Sequence, residues 1–187
     1  VGVPCAWVTA KADYCNCRAT SPRRLDIHGA FSVRLKMQAE GGADVVTPLA
    51  GDTVYTRKNT VAYSVPAAST EKSFTLSEVL ELGQGKPAAV TLVRGDAVPI
   101  LNDCKLLANK IIVKGDLMMK NLYICDADTG ETQQVRHEIP FSQIIDVEGL
   151  DEEWRCDVRL DISTCDVQIT PNQNGENRLL EINVKIL

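Results

Sequence analysis

The sequence predicts an all-β protein: tandem β-sandwich or barrel-like units with long bent strands and at most one or two short helices. Three observations carry this. Apolar and polar residues alternate over long stretches, the period of a half-buried strand. Clusters of Asp, Asn, Gly and Pro separate the alternating runs, as turns require. Two of the runs, centred on Gly29 and Gly115, resemble each other at an offset of 86 residues, the mark of a recurring β unit.

The elements follow in chain order. Val8, Ala10, Ala12 and Tyr14 alternate, which places Trp7, Thr9 and Lys11 on the opposite face of a first strand. Leu25, Ile27, Gly29, Phe31, Val33, Leu35 and Met37 then occupy odd positions, with Asp26, His28, Arg34 and Lys36 between them. This is a long half-buried strand with Gly29 at its bend or bulge. Thr75, Leu76, Ser77 and Glu78 have capping-box spacing, Leu76, Val79 and Leu80 share a helical face, and Gly83 follows. They predict one short helix. Strands at about 110–125 and 132–139 flank Asp126–Gly130, a hairpin turn. Trp154 opens a strand running to Thr170, in which Val158, Leu160 and Ile162 sit on even positions, and Cys165, Val167 and Ile169 on odd ones. One extra residue at Ser163-Thr164, a β-bulge, keeps both sets on one face. After the turn-rich link 171–177, Leu180, Ile182, Val184 and Ile186 alternate and complete a terminal hairpin.

Small residues and Pro concentrate in Val65–Lys72, which suits a linker. The 187 residues therefore divide into 1–66 and 67–187. Arg24–Phe31 matches Lys110–Leu117, and Val8–Asp13 resembles Val90–Asp96 with a small gap. The first unit is thus expected to be the rear part of a unit that the second holds complete. The chain starts at Val1 rather than Met and is read as a fragment. No hydrophobic run reaches the ~20 residues of a membrane helix, and no signal-peptide pattern is seen.

Charge and composition narrow the chemistry. Lys and Arg number 20 against 25 Asp and Glu, a net charge of -5, which disfavours nucleic acid and anionic membrane. There are only two histidines, His28 and His137. A cysteine nucleophile would need one of them beside a thiol. The seven cysteines include no C-x-x-C and no zinc-finger spacing. Cys15 and Cys17 would share a strand face, but as small apolar residues of a reducing compartment. Asp126-x-Asp128-x-Gly130 lacks the remaining ligands of a calcium loop. Ser142 sits in no nucleophile elbow, and Gly83–Lys86 lacks phosphate-loop spacing. The sequence is read as non-catalytic, with no cofactor and no metal. Candidate interaction residues are Trp7, Trp154, Arg23 and Arg24. Trp7 is assigned to an exposed face and Trp154 to packing. Arg23 and Arg24 belong to a basic set with Arg18, Arg57 and Lys58.

The second unit contains, in order, Phe74–Leu82, Lys86-Pro87, Asn109–Gly115, Leu122-Tyr123, Ile139–Gly149, Trp154–Ile169 and Leu179–Leu187. This order resembles the SPOCS domain of clostridial spore-coat morphogenetic proteins of the SipL type, in which tandem copies often precede a LysM module. Residues 1–66, with Ser21–Asp26 and the Gly29 strand, are similar to the rear of a preceding copy. The resemblance implies a non-enzymatic protein-interaction module that assembles the spore coat on the mother-cell, cytoplasmic side of the forespore. It also implies coat morphogenetic proteins as partners, such as the ATPase that coats the forespore. The alternative is a small-ligand or glycan-binding β-sandwich of the cell envelope, which would need a concave aromatic site.

Overall fold

The computed structural model describes residues 5–39, 41–42, 44, 55, 57 and 59–187. The chain divides into two compact units, Val1–Ser69 and Thr70–Leu187. Among the described residues every regular element is a strand, so the all-β expectation holds.

The first unit contains β1 (Cys5–Ser21) and β2 (Arg24–Gln38). They pair antiparallel across the Pro22-Arg23 turn. β1 carries a bulge between Ala12 and Tyr14, and this alters the expected phase. Cross-strand partners share a face. Ala12 faces with Phe31, but Tyr14 faces with Ala30, and Cys15 and Cys17 face with Gly29 and Ile27. Tyr14 therefore leaves the Val8, Ala10 and Ala12 row, and the two cysteines join it.

The second unit has six strands in two three-stranded antiparallel sheets. One holds β4 (Thr91–Leu107), β5 (Lys110–Ile124) and β6 (Thr132–Asp146), with β5 central. The other holds β3 (Phe74–Glu81), β8 (Asn177–Ile186) and β7 (Ile162–Pro171), with β8 central. Pro99 and Pro140 fall on the outer strands β4 and β6, where a missing N–H leaves the ladder intact. The expected bulge near Ser163 is present between Ile162 and Thr164, and Asp126–Gly130 forms the expected hairpin turn. Backbone N–H groups of Asp128 and Thr129 donate to Asp126 Oδ1 at 2.8 and 3.3 Å, which holds the Asp126 carboxyl below the usual carboxylate range.

Three expectations are corrected. The helix expected over 75–83 is strand β3, which pairs with β8 from Phe74 to Glu81. Eight backbone pairings, with Phe74, Leu76 and Leu80 packed against the core, override a short capping-box signal. Trp154 does not open a strand. Residues 147–161 lie outside the strands, and β7 begins at Ile162. β6 continues past residue 139 to Asp146 because its odd positions keep supplying core residues.

The core lies between the two sheets. Leu180, Ile182, Val184 and Ile186 of β8 are fully buried, as are Leu117 and Tyr123 of β5. Each such side chain contributes about 2 kcal/mol of burial. Phe74 of β3 and Phe141 of β6 place their ring centroids 5.3 Å apart. His137 Nε2 of β6 lies 3.1 Å from the Glu81 carbonyl. On the opposite flank Val167 of β7 closes on Gly95 of β4. The sheets thus stack β3 on β6 and β7 on β4, which leaves β8 over β5. Arg178 fastens the β3–β4 loop: its guanidinium donates to the carbonyls of Lys86, Leu82 and Gly83 at 2.8, 3.3 and 3.4 Å. Tyr123 donates its hydroxyl to Pro87 O at 3.1 Å.

Gly115 is fixed by contact. A Cβ there would lie 2.2 Å from Ile100 O and 2.6 Å from the Phe141 ring, whereas at Gly29 the nearest atom, Tyr14 O, would be 3.3 Å away. Gly115→Ala is expected to cost about 3 kcal/mol or more, and Gly29→Ala less than about 1 kcal/mol. Urea denaturation of the two variants checks the difference. Equal losses would contradict this packing.

Candidate interaction surface

The two hairpins that contain Gly29 and Gly115 differ in what covers them. At the 86-residue offset, Leu25, Ile27, Phe31, Val33, Leu35 and Met37 of β2 correspond to Ile111, Val113, Leu117, Met119, Asn121 and Tyr123 of β5. The β5 residues are all buried under the β3–β8–β7 sheet. Their β2 counterparts are all exposed: Phe31 at 74% against 0% for Leu117, and Met37 at 73% against 0% for Tyr123. β1 adds Ala6, Val8, Ala10 and Ala12 to the same face, and after the bulge Cys15, Cys17 and Ala19. The result is a two-strand-wide apolar face from one end of the ribbon to the other. Scattered exposed apolar residues are ordinary, but a contiguous patch marks an interaction site.

The other face of the ribbon is polar. Trp7 lies there, half-buried, with Lys36 Nζ 5.4 Å from its ring centroid, and Lys36 is its cross-strand partner. Bulge residue Asp13 accepts a hydrogen bond from Ser32 Oγ at 2.7 Å. Arg23 is exposed in the turn, and Arg24 Nε lies 3.7 Å from Asp26 Oδ1. That exposed pair contributes little, ~0–1 kcal/mol. Arg23 and Arg24 are thus neighbours at the turn, while Trp7 stands at the far end of the ribbon. Trp154 belongs to the second unit, 39% exposed, in a turn where its N–H donates to Asp151 O at 3.2 Å. Of the wider basic set, Lys58 lies outside the described residues.

Within the first unit, His28 does not adjoin Cys15 and Cys17 of β1. His28 faces with Asn16, on the side of the ribbon opposite Cys15 and Cys17. A cleft of the second unit, about 470 Å³, is lined by Asn102, Asp103, Lys114, Asp116, Pro140 and Ser142 around Gly115 and Phe141. Asn102 donates to Asp116 within it. Neither tryptophan lines this cleft, and its aromatic lining residue is Phe141. Among the described residues, no three His, Cys, Asp or Glu side chains gather to hold a metal ion. Among the described residues, no helix is long and apolar enough to cross a membrane.

Composition and motif gave no access to the apolar face as a site. Its residues read as core, and only the pairing reveals that nothing in the described chain covers them. The signal was the repeat itself, since equivalent strands should carry equivalent cover. Trp7→Ala should weaken association by about tenfold, because aromatics on exposed faces dominate binding. It should lower stability by only about 0.5–1 kcal/mol, the scale of an exposed cation–π contact. Binding titration and thermal melting separate the two. A large melting loss with unchanged association would count against the assignment.

Comparison with known proteins agrees with the sequence resemblance. No curated protein and no solved structure matches this chain. Residues 88–170 match the family model described as SipL, SPOCS domain, a span that begins just before β4 and ends in β7. Through that span, the chain is similar to the SPOCS domain family.

Proposed function

We propose that this chain is a non-catalytic protein-interaction module of the spore coat, and that its first unit binds through the apolar face of β1–β2. The family match supports a sporulation-related structural role. The observation that carries the binding role is the uncovered face. A two-stranded hairpin is marginal in water by itself, and this one leaves Phe31, Val33, Leu35 and Met37 in solvent. Its counterpart in the second unit is stabilised by a facing sheet rich in Leu, Ile and Val. The occupant proposed for β1–β2 has the same chemistry: an antiparallel sheet that presents a row of branched aliphatic side chains. Such a sheet completes a SPOCS-like unit of which residues 1–66 are the rear part.

The proposed setting is the mother-cell side of the forespore surface, and the proposed partners are other coat morphogenetic proteins. The immobilised chain and its Phe31→Asp/Val33→Asp variant are exposed to lysates of sporulating and vegetative cells, and separately to purified peptidoglycan. The expected outcome is capture of an identified coat morphogenetic protein from the sporulating lysate only, reduced at least tenfold by the double substitution. Retention by peptidoglycan alone would favour the glycan-binding alternative. Capture unaffected by the substitutions would move the site away from β1–β2.

A further inference from the structure

The apolar face of the first unit has a relief as well as a chemistry. Cross-strand partners stand side by side on it and differ in size. Ala10 stands beside Val33, Ala12 beside Phe31 and Ala19 beside Leu25. The β2 row is therefore a ridge and the β1 row a trough. Where the ridge is broken, at Gly29, the trough holds the larger Cys15. Val8 beside Leu35 is the one level with a branched side chain on both strands. Neither row carries a charged residue, so two such faces can meet without repulsion. β2 is 15 residues long, so at about 3.3 Å per residue and about 5 Å per strand the face measures roughly 50 by 10 Å. Covering it on two copies removes about 1,000 Å² from water, the lower end of specific interfaces.

We infer that the purified chain pairs with a second copy of itself through β1–β2, each ridge seated in the other's trough about a two-fold axis parallel to the strands. This rests on the proposed binding role of that face, and names what covers it where no coat partner is present. Rotation about such an axis keeps each residue's level along the strand and exchanges the two sides of the ribbon. β2 of one copy then lies over β1 of the other, with Phe31 over Ala12 and Gly29 over Cys15. The contact is isologous, the same patch on both copies. An axis running across the strands would instead set ridge on ridge. Both ribbons twist with the same hand about the shared axis, so the contact holds along their length. The second copy also has the chemistry required of the occupant: an antiparallel ribbon that presents Leu25, Ile27, Val33 and Leu35.

Sedimentation equilibrium of the full-length chain tests the pairing. The expected mass is twice the 20.4 kDa of one chain at about 100 μM, falling to that of one chain below about 1 μM, as suits so small an interface. Ala12→Phe fills the trough under Phe31 of the other copy and should weaken the dimer by about tenfold or more. Adding Phe31→Ala exchanges ridge and trough at that level and should recover the affinity to within about threefold. Phe31→Asp/Val33→Asp should leave only single chains. Thermal melting of the second unit, whose core contains none of these residues, is the folding control. A single-chain mass at the higher concentration, a dimer indifferent to the Asp pair, or no recovery in the exchanged variant would each overturn the proposal. A chain that sediments singly, yet loses capture of a coat protein through the Asp pair, would overturn the dimer and leave the binding role of β1–β2 standing.

Discussion

The second unit depends on one contact: the inward row of β8 packed over the inward row of β5. Leu180, Ile182, Val184 and Ile186 meet a surface formed by Val113, Leu117, Met119 and Tyr123, and nearly all are excluded from water. Everything else in that unit is arranged around this seam. β3 and β7 flank β8, and β4 and β6 flank β5. Phe74 against Phe141 closes one side, and Val167 against Gly95 the other. Arg178 and Tyr123 donate to loop carbonyls that would otherwise lack partners near the core, and Asn109 accepts from the loop N–H groups of Val147 and Gly149. A single polar residue interrupts the seam. Asn121 is fully buried and its side-chain N and O have no hydrogen-bond partner, a cost of about 1–3 kcal/mol. The equivalent β2 position is Leu35.

The same seam explains why the first unit is functionally suggestive. β2 carries the pattern that β5 uses to bind a sheet, with Phe, Leu and Met where β5 has Leu, Asn and Tyr. Free energy that folds one unit is left unused in the other, and this is the observation behind the proposed binding role. This links the fold to the proposed function more directly than any individual tryptophan or arginine does. Trp7 gains a cross-strand neighbour in Lys36, and Trp154 sits in a turn of the second unit. Neither is held in a pocket.

Much of this was legible in the sequence, and the failures have physical causes. Strict alternation exposed β2, β5 and β8, and the turn residues exposed the 126–130 and 171–177 links. The Ser163 bulge was readable because apolar residues change parity across it. The Asp13 bulge was not, because Ala12 and Tyr14 extend an unbroken apparent phase and only the pairing with Phe31 and Ala30 reveals the extra residue. β3 was mistaken for a helix because Leu76, Val79 and Leu80 fit both periods over so short a run. The decision belonged to β8, about a hundred residues away. Arg178 was silent for a similar reason. Its partners are backbone carbonyls of residues 82–86, and such groups leave no trace in side-chain identity. The 147–152 loop is seated by Asn109 and Glu152 through contacts that no spacing rule describes.

Amide hydrogen exchange on the isolated chain tests the central claim most directly, by comparing equivalent positions 25–37 and 111–123. If the facing sheet is what stabilises this hairpin, amides of β5 should exchange only through global unfolding, and those of β2 at least a hundredfold faster. Equal protection of the two strands would show that β2 is already covered, and would contradict the account.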